Sequence, residues 1–237
     1  MIQSYVSSDV GCVRAHNEDS CLTMEERQIY AVADGMGGQA AGEVASHMLV
    51  EVLREDLSAC TTPGEEELRQ AVLHANERIL IEAEANPGRK GMGTTATVLE
   101  VLAGRALWAH VGDSRLYLYR EGDLQQITQD HSYVESLVSR GELTEEEARN
   151  HPQRNMLLRA VGVERPIEVD TGSFDLKRGD VLLLATDGLM NMVKDDDIAA
   201  KLEAVRLGGE NPARELVRAA LAAGGNDNVT VIVVVFS

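Results

Sequence analysis

The chain has 237 residues, 44% of them hydrophobic, enough to bury a sizeable core as one large domain rather than two. Its 39 acidic and 22 basic residues give a net charge of −17. That balance excludes a nucleic-acid binder, whose partner's phosphates need a basic face, and disfavours an anionic membrane surface. A phosphorylated substrate would be repelled too, unless cations are bound among the carboxylates.

Cys12, Cys21 and Cys60 are odd in number and show no spacing that suggests zinc or a redox motif. Residues 1–25 carry Asp9, Arg14, Glu18 and Asp19 and no long apolar stretch, so no signal peptide is expected. No 18-residue apolar run occurs, so no membrane span is expected and the chain reads as cytoplasmic.

In chain order, residues 2–7 read as an edge strand, followed by a turn at Asp9-Val10-Gly11 and the polar run Arg14-Ala15-His16-Asn17-Glu18-Asp19. The apolar run 29–33 has strand character and ends on Asp34, with glycines at 35, 37 and 38 to let the backbone turn tightly. Val44, Ala45, Met48, Leu49, Val52 and Leu53 then recur at helical spacing. Thr62-Pro63-Gly64-Glu65 is a capping-box signature opening a second helix, in which Leu68, Val72, Ala75 and Ile79 share a face and Pro87-Gly88 ends the run.

Residues 96–102 are apolar and β-branched. Residues 107–111 alternate as a strand, Gly112-Asp113-Ser114 turns, and 116–119 returns as its hairpin partner, with a further turn at Glu121-Gly122-Asp123. Residues 130–165 are polar, with two short helical patterns, one capped by Thr144 with Glu147, and read as a mobile insertion. A continuous apolar strand at 181–185 ends in Thr186-Asp187-Gly188. Asn211-Pro212 starts a last helix, Gly224-Gly225 ends it, and Asp227-Asn228 precedes the strongest strand, 229–236. Strands and helix pairs do not alternate regularly, which predicts an α+β fold with an antiparallel-rich sheet core and helices packed outside.

Asp34, Asp113, Asp187 and Asp227 each stand at the start or end of a predicted strand, and Glu18 and Asp19 lie near another. Singly, each reads as a turn residue or cap. Converged, five or six acids could not all stay ionised alone, and divalent cations resolve the conflict. Oxygen-only ligands favour Mg²⁺ or Mn²⁺ over Zn²⁺.

Six motifs occur in one order: Arg14-x-x-Asn17-Glu18-Asp19, Ala33-Asp34-Gly35-Met36-Gly37-Gly38, Gly91-Met92-Gly93-Thr94-Thr95, Gly112-Asp113-Ser114-Arg115, Thr186-Asp187-Gly188 and Asp227-Asn228-x-Thr230. Each is weak; together they resemble the metal-dependent serine/threonine phosphatases of type 2C over residues 1–237, in the compact bacterial form. The resemblance implies a single catalytic domain, a β-sandwich of two mostly antiparallel sheets with helices on both outer faces. Residues 130–165 would be its flap. It also implies two core Mn²⁺ or Mg²⁺ ions and a third, weaker one. Asp34 would bridge the core pair, the Gly35 carbonyl would bind the second ion, and Asp187 and Asp227 would hold the first. Glu18 or Asp19 would reach the second directly or through water, and Asp113 with Asp187 would hold the third. Arg14 would clamp the phosphate.

A water bridging the core metals would then attack phosphorus in line, without a phosphoenzyme. Expected partners are phosphoserine and phosphothreonine proteins and the Ser/Thr kinase that the enzyme, a monomer, opposes in signal transduction. Met36 stands where eukaryotic relatives carry a His proposed as general acid, which leaves a metal-bound water, ahead of His16, as the expected proton donor. His47, His74 and His110 read as ordinary helix or strand residues, and His131 has no assignment.

Three other readings stand beside this one. Cys21 and Arg27 have the cysteine-x5-arginine spacing of thiol phosphatases, but the residues between them lack glycine and include two carboxylates where a phosphate cradle needs N–H groups. A non-catalytic phosphoprotein-binding relative would have lost a metal ligand, and none of the four core aspartates is missing. A phosphatase of regulatory proteins of the anti-sigma-antagonist type would carry the same motifs.

Overall fold

A computed structural model of the chain describes residues 1–37, 41–60, 64–206 and 210–237. Its apolar runs are strands covered on both faces, which is why they lack polar alternation. One sheet has five strands in the order β1 (Ile2–Asp9), β11 (Val229–Phe236), β10 (Asp180–Ala185), β7 (Arg115–Arg120) and β8 (Asp123–Gln126). The other runs β2 (Asp19–Met24), β3 (Ile29–Met36), β5 (Ala96–Leu102), β6 (Arg105–Val111) and β9 (Asp170–Asp175), with the short β4 (Gly93–Thr94) on the end of β3. Every pairing between these strands is antiparallel.

Side-chain alternation sorts the strands into layers. Tyr30, Val32, Leu99, Leu182, Leu184, Ile232 and Val234 meet between the sheets. Ile29, Ala31, Ala33, Ala96 and Val98 point the other way, onto α1 (Ala41–Ala59) and α2 (Glu65–Ala85). Val181, Leu183, Val231 and Val233 pack outward with Ile198 and Leu202 of α6 (Asp195–Arg206) and Leu216 and Val217 of α7 (Pro212–Ala222). The layers are therefore helix, sheet, sheet, helix.

The hairpin expected at Gly112-Asp113-Ser114 is not one. β6 belongs to the second sheet and β7 to the first, so these three residues are a corner that crosses the sandwich. Gly112 takes φ +111°, and a Cβ there would stand 2.6 Å from Thr95 Cγ2. The second helix opens at Glu65 with Gly64 at its N-cap; Thr62 and Pro63 lie outside the described residues.

Residues 130–165 carry α3 (Tyr133–Ser139), capped by the Ser132 side chain, and α4 (Glu145–Arg149), whose Thr144 and Glu147 form the expected capping box. The insertion is tied back at its far end. Buried Asn76 of α2 accepts from Gly162 N–H at 2.7 Å and donates to the Glu164 carbonyl at 3.1 Å, and Val161 pairs with Thr94.

One core position is electrostatically costly. Glu100 on β5 faces the helical layer fully buried, and neither carboxyl oxygen has a hydrogen-bond partner among the described residues. Burial pushes its carboxyl up to about 7, partly offset by Arg27 and reinforced by Glu67. An acid whose folded pKa is raised holds its full stability below the unfolded pKa and loses it as pH rises through the folded one. Glu100→Gln should therefore raise Tm at pH 8 and leave it almost unchanged at pH 4. Equal Tm values for the two proteins at both pH values would show that the Glu100 carboxylate is solvated after all.

Candidate metal centre

The strand register brings the acids to one end of the sandwich. Ala185 of β10 pairs with Val231 of β11 and with Arg115 of β7. Asp187, just past that end of β10, Asp227, just before β11, and Asp113, just before β7, therefore lie beyond the same edge. In the other sheet Asp19 pairs directly with Asp34. Arg14, Glu18, Asp34, Gly35, Asp113, Asp187 and Asp227 line one cleft of about 220 Å³. Asp19 sits behind it, 9% exposed.

Each acid is held by local chemistry. Asp34 is pinned by its backbone: its N–H donates to Thr95 Oγ1 at 2.9 Å, and its carbonyl accepts from Thr95 N–H at 2.9 Å and Thr94 Oγ1 at 3.0 Å. Asp19 Oδ2 accepts from Thr186 Oγ1 at 2.8 Å. Asp187 opens the single-turn α5 (Asp187–Met190), and its Oδ2 accepts from Asn191 at 3.0 Å. Asp227 Oδ1 accepts from Asn228 N–H, while its Oδ2 takes Arg14 Nη2 at 2.7 Å. Gly35 and Gly188 admit no side chain: a Cβ would stand 2.2 Å from the Gly42 carbonyl oxygen in one case and 1.9 Å from the Asn228 carbonyl oxygen in the other.

Asn228 is the organiser that a reading of charged residues misses. Its side chain accepts from Glu18 N–H at 2.8 Å and donates to the carbonyls of Val10 and His16, both at 2.9 Å. It thereby fastens the N-terminal loop to the start of β11. Asn155 and Leu157 of the insertion also line the cleft, and nothing in their sequence context marked them.

The electrostatics fit a cation site. Burial pushes the carboxyl of Asp19 up to about 7, helped by Asp187 and Asp227. Asp34 and Asp113 are pushed well above the carboxylate range by burial and then by their acidic neighbours, and Asp187 and Glu18 are raised for the same first reason. Asp19 Oδ1 and Asp187 Oδ1 are buried with no hydrogen-bond donor among the described residues. Buried acceptors without donors, all oxygen, suit a hard divalent ion. No three His, Cys, Asp or Glu side chains among the described residues close tightly enough around one point to hold an ion as they stand.

The protein phosphatase 2C family model matches residues 13–223. The chain belongs to that family. It is 41% identical to the serine/threonine phosphatase stp of Listeria welshimeri over 235 residues, 96% of this chain and 93% of that protein. Against the serine/threonine protein phosphatase PstP of Mycobacterium tuberculosis it is 41% identical over 231 residues, 95% of this chain and 43% of that longer protein. The crystal structure of that phosphatase superposes with a TM-score of 0.91 at 39% identity, covering 100% of this chain and 99% of the other. A structure of the PstP catalytic domain in complex with two manganese ions matches with a TM-score of 0.89 at 37% identity, covering 98% and 97%. The chain is a serine/threonine phosphatase of this metal-dependent family, with the α+β sandwich expected of it. No helix among the described residues is long and apolar enough to cross a membrane.

Met36 lines the cleft and His16 is not among its lining residues. His47 and His74 sit on helix surfaces beside Glu51 and Asp56, and His110 is buried in β6. The thiol reading fails: burial, with Asp19 nearby, pushes the Cys21 thiol up, whereas a nucleophile needs it lowered. Arg27 is spent on the carbonyls of Cys60 and Ser58, at 2.6 and 2.7 Å.

The crowding of acids has a stability signature. In chelator at pH 8 the cluster must either keep Asp34 ionised beside its neighbours or hold a proton that the unfolded chain gives up, so Asp34→Asn should raise Tm by at least the roughly 2–4 °C that 1 kcal/mol moves a domain of this size. A lower Tm in chelator would mean that the carboxylates do not repel one another.

Proposed function

We propose that the chain hydrolyses phosphoserine and phosphothreonine in proteins at the 220 Å³ cleft, reversing the action of a Ser/Thr protein kinase. The observation that carries this reading is the cationic side chain of Arg14 on the wall of a cleft whose other charged lining residues, Glu18, Asp34, Asp113, Asp187 and Asp227, are all acids. Divalent cations bound there would lower the pKa of a water so that hydroxide is available as the nucleophile, and would offset the repulsion between the carboxylates and a phosphate. Asp34, Asp187 and Asp227 would hold the core pair, with the Gly35 carbonyl and Glu18 or Asp19 serving the second ion, and Asp113 with Asp187 would hold a third. Manganese or magnesium suits this oxygen donor set.

Arg14 is placed to receive the substrate. Its side chain is 51% exposed, and its guanidinium, raised by the hydrogen bond to Asp227, stays charged at any working pH. A planar fork that already binds a carboxylate can bind two phosphate oxygens in the same way. Met36 has no proton to give, so the leaving oxygen takes its proton from water in the cleft.

Chelation should abolish hydrolysis of a phosphothreonine peptide, Mn²⁺ should restore it, and Asp227→Asn should lower the restored turnover by orders of magnitude. Full turnover in excess chelator would sink the metal reading. Arg14→Ala removes charge-assisted bonds worth about 1.5–3 kcal/mol, so kcat/KM should fall roughly ten- to a hundredfold. Most of that loss should appear in KM. Arg14→Lys should recover part, keeping the charge and losing the fork. An exposed arginine of no function would cost roughly 0–1 kcal/mol, so an unchanged kcat/KM would remove Arg14 from the site.

A further inference from the structure

His131 is buried, 8% exposed, under the corner that carries Asp113. Its main-chain N–H donates to the Gly112 carbonyl at 2.7 Å. Its ring Nδ1 accepts from the Gly112 N–H at 3.2 Å. Both main-chain polar groups of Gly112 therefore end on one residue. With Nδ1 accepting, the neutral ring carries its proton on Nε2, which points at Asp170 Oδ2 on β9 at 3.1 Å. The other oxygen of Asp170 takes Arg159 Nη1 at 3.0 Å, and the His131 carbonyl accepts from Leu158 N–H at 2.8 Å. One residue thus joins the corner between the sheets, the return limb of the insertion and β9.

We propose that His131 is a positioning residue for Asp113: by holding both polar groups of Gly112 it fixes the direction of the neighbouring carboxylate and so the third cation position. The inference rests on the role given to Asp113 above. The corner needs such a tether. Gly112 lies in the left-handed region, where only a glycine is unstrained and the backbone is otherwise free to pivot. Asp113 is desolvated and repelled by Asp187, so an untethered corner would swing its carboxylate away. The His131 ring is itself steadied by the buried His110 ring, 4.9 Å away between centroids, which is tied to Thr97 Oγ1 at 3.0 Å and the Gln129 carbonyl at 3.1 Å.

The ring nitrogens can be mimicked separately. An asparagine Oδ1 occupies the place of Nδ1 and keeps the bond to Gly112; a glutamine amide reaches toward the place of Nε2 and loses it. The experiment compares wild type, His131→Asn, His131→Gln and Asp113→Ala. It measures amide exchange at Gly112 in the chelated protein, calorimetric Mn²⁺ binding, and the Mn²⁺ dependence of phosphothreonine-peptide turnover. Losing one hydrogen bond should speed Gly112 exchange about tenfold in His131→Gln and raise the Mn²⁺ needed for half-maximal turnover by about the same factor. The asparagine variant should stay within about twofold of wild type in both, and core-pair binding should be unchanged in either.

Equal Gly112 exchange in all three His131 proteins would overturn the proposal. So would a glutamine variant with wild-type Mn²⁺ dependence beside a crippled Asp113→Ala. If the glutamine variant folds poorly, the asparagine variant decides alone, and fast Gly112 exchange in it sinks the idea. Full turnover of Asp113→Ala would instead sink the assignment of Asp113 and leave the tether itself to be judged by exchange.

Discussion

Repulsion among carboxylates held at one end of the sandwich is the constraint around which the rest of the structure is arranged. Two unit charges 4 Å apart cost about 4 kcal/mol at an effective dielectric of 20, and a whole domain is stable by only about 5–15 kcal/mol. Four or five ionised acids in one cleft would use up that margin. The chain must share protons among them, as the raised carboxyls of Asp19, Asp34 and Asp113 indicate, or recruit cations. Holding such a cluster open needs a frame that does not yield. The frame here is two packed sheets, with the acids at strand ends and on the adjoining loops, anchored by Thr94, Thr95, Thr186 and Asn228.

The same constraint orders the roles of the uncharged residues. Gly35 and Gly188 let main chain approach main chain where any Cβ would collide, seating the residue after Asp34 against α1 and the Glu18 loop and the residue after Asp187 against the entry to β11. Asn228 satisfies three backbone groups with one side chain and brings Glu18 to the cleft from a loop that has no regular structure of its own. A neutral amide suits that position because it adds no charge to the cluster.

Much of this was legible in the sequence. Strand β11 and helices α1 and α2 follow from long periodic patterns, and the six motifs in register carry the acids to one site. What stayed hidden has physical reasons. Strand β9, Asp-Thr-Gly-Ser-Phe-Asp, is a half-exposed edge with little apolar content, so its pattern is faint. Helix α6 opens on Asp195, Asp196 and Asp197, which read as a solvated loop before they read as a favourable first turn. The corner at Gly112-Asp113-Ser114 has the residues of a hairpin turn. Flanking strands alternate identically whether they pair in one sheet or cross to another, so local sequence cannot tell the two apart. Only the pairing of β6 with β9, and of β7 with β10, does.

That corner has a consequence for the cleft beside it. A hairpin would have left Asp113 at the tip of one sheet, exposed and remote from the insertion. A crossing places it between the sheets, next to Asp187 and under the return limb of residues 130–165. A second, larger cleft of about 460 Å³ opens between the insertion and the core, and it shares Asp113, Asn155 and Asp187 with the acidic one. The two hollows therefore have a common wall, formed by two carboxylates and one amide from the insertion. The insertion supplies Asn155 to both hollows, and the pair of hydrogen bonds between Gly112 and His131 ties the corner that carries Asp113 to the start of that same insertion, so the shared wall is built where insertion and core are fastened together.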